Sequence, residues 1–141
     1  MVPATALEGL SPEAPLAEVI GRLTEGSNGK GSLGAAWVRA SANPELMAGL
    51  ITDGDLRRTL QHHDPASWST IRADAMATAD PITVTPQTLA VAALELMERN
   101  PRKAISVLPV VEPSQPHQLL GLLRLHDLVQ AGFSSTAAER P

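Results

Sequence analysis

The sequence predicts an α/β fold assembled from two copies of one small unit, and three observations carry that prediction. One order of signals occurs twice: a turn residue with Pro, an aliphatic helical pattern, an extended run, a second extended run containing Gly, and an acidic residue opening a short helix. Gly49 and Gly121 lie 72 residues apart (121 − 49), as do Asp55 and Asp127 (127 − 55). Leu16 and Leu89 lie 73 apart (89 − 16), so a single insertion or deletion separates the two registers. Within each copy the apolar residues pass from helical spacing to short aliphatic runs bounded by turn residues, the pattern of a helix feeding a sheet.

In the first copy, Ser11-Pro12 predicts the helix start, with Ser as the cap and Pro at the first helical position, where its missing N–H costs nothing. Leu16, Val19, Ile20 and Leu23 then recur on one face. In the second copy Thr85-Pro86 gives the same start, and Leu89, Ala92, Ala93, Leu96 and Met97 form the stripe, so both helices are expected to bury that face. Extended runs follow at 33–38 and 106–111. Pro109 cannot donate to a sheet ladder, so its side should face an edge, a bulge or a ligand. The second runs, 47–51 and 119–123, lead into short helices expected at 53–60 and 125–131. Between the copies, residues 62–69 are rich in turn formers, and 70–76 could hold one helical turn or two. The expected organisation is a first repeat at 1–62, a linker at 63–75, a second repeat at 76–133 and a frayed tail at 134–141.

Composition narrows the classes. The 141 residues are 43% hydrophobic and 18% charged, enough for a packed core, and one Phe with two Trp makes that core aliphatic. Eleven Lys+Arg against 15 Asp+Glu leave a net charge of −4, which offers no broad basic face for nucleic acid, although one small anionic ligand stays open. Zero Cys removes disulfides, thiolate metal sites and cysteine nucleophiles and agrees with a reducing cytoplasm. No apolar run approaches about 20 residues, so no membrane partner is expected.

Gly49-Leu50-Ile51-Thr52-Asp53-Gly54-Asp55 closes the second extended run of the first copy, and Gly121-Leu122-Leu123-Arg124-Leu125-His126-Asp127 closes that of the second. This arrangement resembles a tandem pair of cystathionine β-synthase (CBS) domains. The first heptapeptide matches that family's ligand motif in full, while the second keeps Gly and Asp but has Arg124 where Ser or Thr is usual. With Leu56-Arg57-Arg58, Asp80-Pro81-Ile82-Thr83-Val84, Leu108-Pro109-Val110-Val111 and Leu128-Val129-Gln130-Ala131-Gly132, the chain is similar to the C-terminal CBS pair of bacterial arabinose-5-phosphate isomerases along nearly its whole length. The resemblance implies two pseudo-twofold-related βαββα repeats whose small three-stranded sheets pack face to face. In that family a larger sugar isomerase domain precedes the pair and carries the aldose–ketose chemistry, which feeds synthesis of the lipopolysaccharide sugar Kdo. The chain has no room for that domain, so isomerisation is not expected of it.

At the end of each second strand a helix begins, where free backbone N–H groups and the helix dipole favour a phosphate or carboxylate. Thr52 adds a hydroxyl, and the family motif implies that Asp55, and Asp127 in the second copy, accept from neighbouring ribose hydroxyls. A plainer reading makes Thr52 an N-cap and the two aspartates dipole-compensating charges, worth about 0.3–1 kcal/mol each. Arg124 substitutes a planar guanidinium that can clamp phosphate or carboxylate bidentately, and so favours a more acidic ligand. The family pattern also places backbone groups of Thr83, Val84, Leu108 and Pro109 along a base-side pocket walled by Ile82 and Val110, with Arg102 and Lys103 able to reach an anion. His126 reads as packing at the helix start or touching a ligand's polar edge.

Other residues read as structural. Arg57-Arg58 reads as a solvated helix face, and Trp37 and Trp68 as packing residues. The loop Gly26-Ser27-Asn28-Gly29-Lys30-Gly31 lacks the Gly-Lys-Ser/Thr ending of a phosphate loop. Adjacent His62-His63 would point about 100° apart on a helix and cannot share a metal, so no metal site is expected.

The expectation is therefore a cytoplasmic regulatory module that serves a sugar isomerase domain and binds a nucleotide or nucleotide sugar, an adenosine phosphate or CMP-Kdo, in the cleft between repeats. The alternative is an interaction module whose exposed helices pair two chains as a homodimer, with no ligand. No nucleophile with a base, carboxylate pair or metal cluster supports an independent enzyme.

Overall fold

The structure, a computed structural model, describes residues 2–25, 34–88, 90–98 and 107–125. Its elements are β1 (Val2–Pro3), α1 (Leu16–Glu25), β2 (Ala35–Arg39), β3 (Met47–Thr52), α2 (Asp53–His62), α3 (Ala73–Met76), α4 (Ala90–Glu98), β4 (Val107–Glu112) and β5 (Gln115–Arg124), with 3-10 turns at Ala4–Ala6 and Pro65–Thr70. They form two compact units, one of Ala6–Pro81 and one of Met1–Thr5 with Ile82–Pro141.

In the first unit β2 and β3 pair antiparallel, with Ala36 opposite Ile51 and Trp37 opposite Leu50. Only two strands form this sheet, where three were expected, because single residues supply its outer rows. Leu10 flanks β2, donating its N–H to the Trp37 carbonyl at 2.8 Å and accepting from Arg39 N at 2.9 Å. Thr78 flanks β3 by exchanging two backbone bonds with Leu50, at 3.1 and 2.9 Å. That close approach dictates Gly49, where a Cβ would stand 2.8 Å from the Thr78 carbonyl oxygen.

Helix α1 begins four residues later than Ser11-Pro12 predicts. That dipeptide opens a turn closed by Ala14 N to Ser11 O at 3.0 Å, and the Pro15 carbonyl accepts the first helical bonds from Glu18 and Val19. Leu16, Val19 and Leu23 are buried as expected, whereas Ile20 turns outward. They pack with Leu10, Ala36, Val38 and Ile51 in one core, which also holds Ile71, Ala73 and Met76. The segment 71–76, most of it assigned in sequence to a linker, thus sends Ile71, Ala73 and Met76 into this core. Ala73 N bonds Ala14 O and Asp74 N bonds Pro12 O, both at 2.9 Å, which ties them to the segment before α1.

The second unit has the strand order β1-β5-β4. Val84 flanks β4 as Leu10 flanks β2: Val84 N bonds Pro109 O at 3.0 Å and Val111 N bonds Val84 O at 2.8 Å. The carbonyl of Pro109 points outward to Val84, so its missing donor also faces that edge and leaves the β5 ladder intact. Thr85-Pro86 opens a turn like that at Ser11-Pro12, closed by Thr88 N to Thr85 O at 3.0 Å. Val84, Ala93, Leu94, Met97, Leu108 and Val110 form the core. Ala92 and Leu96, expected on the buried face of α4, are exposed, and Leu94 takes the inner place. The run AVAALELME is apolar around most of its circumference, so spacing alone could not choose the face. Leu89 and the helix expected at 125–131, apart from Leu125, lie outside the described residues.

The units also differ from the repeats drawn in sequence. Val2 and Pro3, which open the first repeat, pair with Leu122 and Gly121 of the second unit. Thr78, near the opening of the second repeat, pairs with Leu50 of the first unit. Each opener completes the other repeat's sheet.

Candidate functional site

The site is built where β3 hands the chain to α2. Thr52 ends the strand in extended conformation, φ −109° and ψ 171°, and caps the helix. Its hydroxyl accepts from Asp55 N at 3.3 Å, while Asp55 Oδ2 accepts from Thr52 N at 2.9 Å, so the two close a capping box. Ahead of the turn, Gly34 has φ +76°, a conformation natural to glycine, and its carbonyl accepts from Asp53 N at 3.3 Å.

Asp55 is 7% exposed, the one buried charged residue among those described. A carboxylate so placed needs partners, because desolvation disfavours an unpaired charge. Four donors supply them. Oδ2 accepts from Thr52 N and, at 3.1 Å, from the Thr52 hydroxyl. Oδ1 accepts from the Arg58 guanidinium and, at 3.2 Å, from the Thr78 hydroxyl. Two oxygens with about four lone-pair sites are thereby engaged by the protein itself. Sequence reasoning placed Asp55 against ribose hydroxyls; the structure directs its acceptors to Thr52, Arg58 and Thr78.

Arg58 and Thr78 were missed as members of this cluster. The three-residue spacing of Asp55 and Arg58 on one helix was a legible signal for an ion pair. Thr78 gave none, since it arrives only when its segment returns along β3.

Of the other expected site residues, Thr83, Val84, Leu108 and Pro109 come together where Val84 flanks β4. The Val84 N–H and carbonyl and the Pro109 carbonyl are spent on that bridge, and the Leu108 side chain is wholly buried in the core. Val110, read as a pocket wall, is likewise a core residue, while Ile82 is exposed. Thr83 is half-buried beside them. Arg124 ends β5, half-buried, at the position that Thr52 holds in β3. His126, Asp127, Arg102, Lys103 and the loop 26–31 lie outside the described residues.

Trp68 packs against the first core and donates its indole N–H to His63 O at 3.0 Å. Among the described residues no group of His, Asp and Glu is placed to hold a metal ion, and no helix is long and apolar enough to cross a membrane.

Comparison with known proteins adds to this geometry. A family model, the CBS domain, matches residues 71–134. Arabinose 5-phosphate isomerase KdsD from Yersinia pestis is 34% identical over 128 residues, which cover 91% of this chain and 34% of that protein. The chain spans about a quarter to a third of the length of the curated relatives it matches. Among solved structures, the CBS-domain containing protein ATU1752 from Agrobacterium tumefaciens superposes with TM-score 0.71 at 20% identity, covering 90% of each chain. CBSX2 in complex with AMP superposes with TM-score 0.65 at 21% identity, covering 99% of this chain and 95% of that one. At such identities the likeness shows the fold.

Proposed function

We propose, from the premise that this chain carries a CBS domain at residues 71–134 and has the fold of CBS-pair proteins, that it is a cytoplasmic regulatory module sensing a nucleotide or nucleotide sugar for a sugar-phosphate isomerase. The observation that carries the reading is the match to KdsD, which runs along 91% of this chain yet occupies only 34% of that enzyme. A segment of that share suits a module attached to a separate catalytic domain, here a sugar isomerase domain.

The nucleotide class is supported by the AMP complex of CBSX2. We place the ligand position in the second unit, where Thr83 and the Val84–Pro109 bridge would flank the base. Arg124, His126 and Asp127 would then meet its charged and hydroxyl groups. The guanidinium of Arg124 suits a ligand with both phosphate and carboxylate, and CMP-Kdo is the candidate of that kind. Regulation would require the ligand to favour one arrangement of the parent enzyme, because equal affinity for two states shifts neither.

The test is a thermal-shift series with AMP, ATP, CMP and CMP-Kdo. A ligand at a hundred times its Kd stabilises by about 2.7 kcal/mol, so at least one should raise the Tm by several degrees. No response to all four would overturn the reading.

A second reading draws on α4, where Val91 and Leu96 are 46% and 40% exposed beside a well-filled core. It makes the module a dimerisation device, two copies meeting through symmetric apolar patches. A mass by light scattering that stays monomeric at every concentration would exclude it.

A further inference from the structure

The stretch from Val2 to Leu10 begins on the second unit and ends on the first. β1 pairs with β5 through Val2–Leu122 and Pro3–Gly121, whereas Ala6 already belongs to the first unit. Its two ends are held very differently.

At the Leu7–Leu10 end every residue is gripped. The Leu7 carbonyl accepts from the Trp37 indole N–H at 3.2 Å, and the Glu8 carbonyl accepts from the Arg22 guanidinium on α1. A Cβ on Gly9 would lie 2.7 Å from the Trp37 ring atoms Cζ2 and Cη2 and 2.6 Å from Arg39 Cγ, so the Gly9 backbone rests directly on both side chains. Leu10 is fixed to β2 by its bonds to Trp37 O and from Arg39 N, and both Gly9 and Leu10 are buried.

At the β1 end the hold is slight. Val2 is half-buried, Pro3 is exposed, and Pro3 has no N–H to give to β5. β1 is therefore an element with two states, paired or released, separated by the net worth of one or two backbone bonds.

Between the ends there is no slack. The ring of Pro3 fixes its φ, Ala4–Ala6 form a 3-10 turn, and no glycine occurs from Val2 to Glu8. A change at Val2 is thus delivered to the Leu7 carbonyl, where a glycine-rich connection would absorb it.

We infer that Val2–Leu10 is a stiff strap that carries the state of β5 to the first unit, with the Trp37 indole as its receiver. Pairing of β1 favours the bond from Trp37 to Leu7, and by linkage that bond favours the pairing of β1. β5 ends at Arg124, so the strap would also pass on a ligand's hold on that strand. Only this last step rests on the sensing reading.

The test uses the full chain without ligand, read by the Trp37 indole N–H resonance, which is assigned by its loss in Trp37→Phe. Val2→Pro leaves β1 without a single N–H. It should shift that resonance and speed its solvent exchange by roughly fivefold, the factor that one lost backbone bond supplies. With Gly-Gly inserted between Thr5 and Ala6, Val2→Pro should no longer move the resonance. Trp37→Phe, which keeps an aromatic ring but not the donor, should in turn speed amide exchange at Leu122. An unmoved Trp37 resonance in Val2→Pro, with Leu122 exchange already raised, would overturn the inference. So would an equal response in the chain with the insertion, since the signal would then bypass the strap. If Val2→Pro does not fold, Trp37→Phe decides alone: faster exchange at Leu122 supports the strap, and unchanged exchange rejects it. None of these outcomes depends on whether a nucleotide binds.

Discussion

At the scale of single residues, Asp55 is the side chain on which most local structure depends. It satisfies the Thr52 N–H and hydroxyl, and it receives Arg58 from its own helix and Thr78 from a segment 23 residues away. Asp55→Ala keeps the Thr52 hydroxyl on the helix but removes the other half of the capping box and leaves the half-buried Thr52 N–H without its carboxylate, a loss of about 1–2 kcal/mol. Arg58→Ala is expected to cost less than about 1 kcal/mol, because its side chain is 46% exposed and water replaces much of the ion pair. Urea unfolding of both variants decides the ranking; equal losses would mean that the carboxylate is held by the ion pair alone. The sequence made Thr52 and Asp55 legible through the spacing of a capping box. It hid Thr78, whose contact depends on tertiary return of the chain and leaves no local pattern. Trp37 was legible as a packing residue, but what it packs against became visible only when Gly9 was found beneath it.

At the scale of elements, the strands were readable and the helix limits less so. Short aliphatic runs ending in Gly-Leu-Ile-Thr and Gly-Leu-Leu-Arg gave β3 and the end of β5, since the pleat demands such runs wherever both faces are covered. The Ser-Pro and Thr-Pro dipeptides marked turns that precede their helices by several residues, because Ser11 and Thr85 open four-residue hydrogen-bonded turns first. Apolar spacing placed α1 correctly except at Ile20 but misassigned part of α4, which has apolar residues on its outer side as well. The outer row on β3 makes a sharp prediction. Gly49→Ala puts a methyl 2.8 Å from the Thr78 carbonyl and 3.0 Å from Ala77 Cβ, and the first of these is backbone that cannot rotate away. The bridge between Leu50 and Thr78 must open, and with it the bond from Thr78 to Asp55, at a cost of about 1–3 kcal/mol. Amide exchange should accelerate at Leu50 and Thr78; unchanged exchange there, with stability intact, would show that the segment can shift without loss. Gly49→Ala combined with Thr78→Val should cost less than the sum of the single changes, since opening the bridge already breaks the Thr78 hydroxyl bond to Asp55 that Thr78→Val removes.

At the scale of the whole chain, repetition was legible and the partition between units was not. The offset of 72 residues survives in three dimensions, with Leu50 and Leu122 each holding a short outer partner, Thr78 and Val2. Sequence order assigns Val2 to the first repeat and Thr78 to the second, but hydrogen bonding assigns them the other way. Nothing in periodicity could reveal the exchange, because an opener two or three residues long fits either sheet equally well. The exchange can be tested by shortening the chain. Without residues 1–5, β5 loses its partner along Gly121 and Leu122 and becomes an open edge beside β4. The lost backbone bonds are worth about 0.5–1.5 kcal/mol each. Amide protection in β4 and β5 should therefore fall by roughly tenfold, while β2 and β3, which lie in the other unit, keep theirs. A loss of protection confined to β2 and β3 would instead place the N-terminal segment where sequence order puts it, and would undo the exchange.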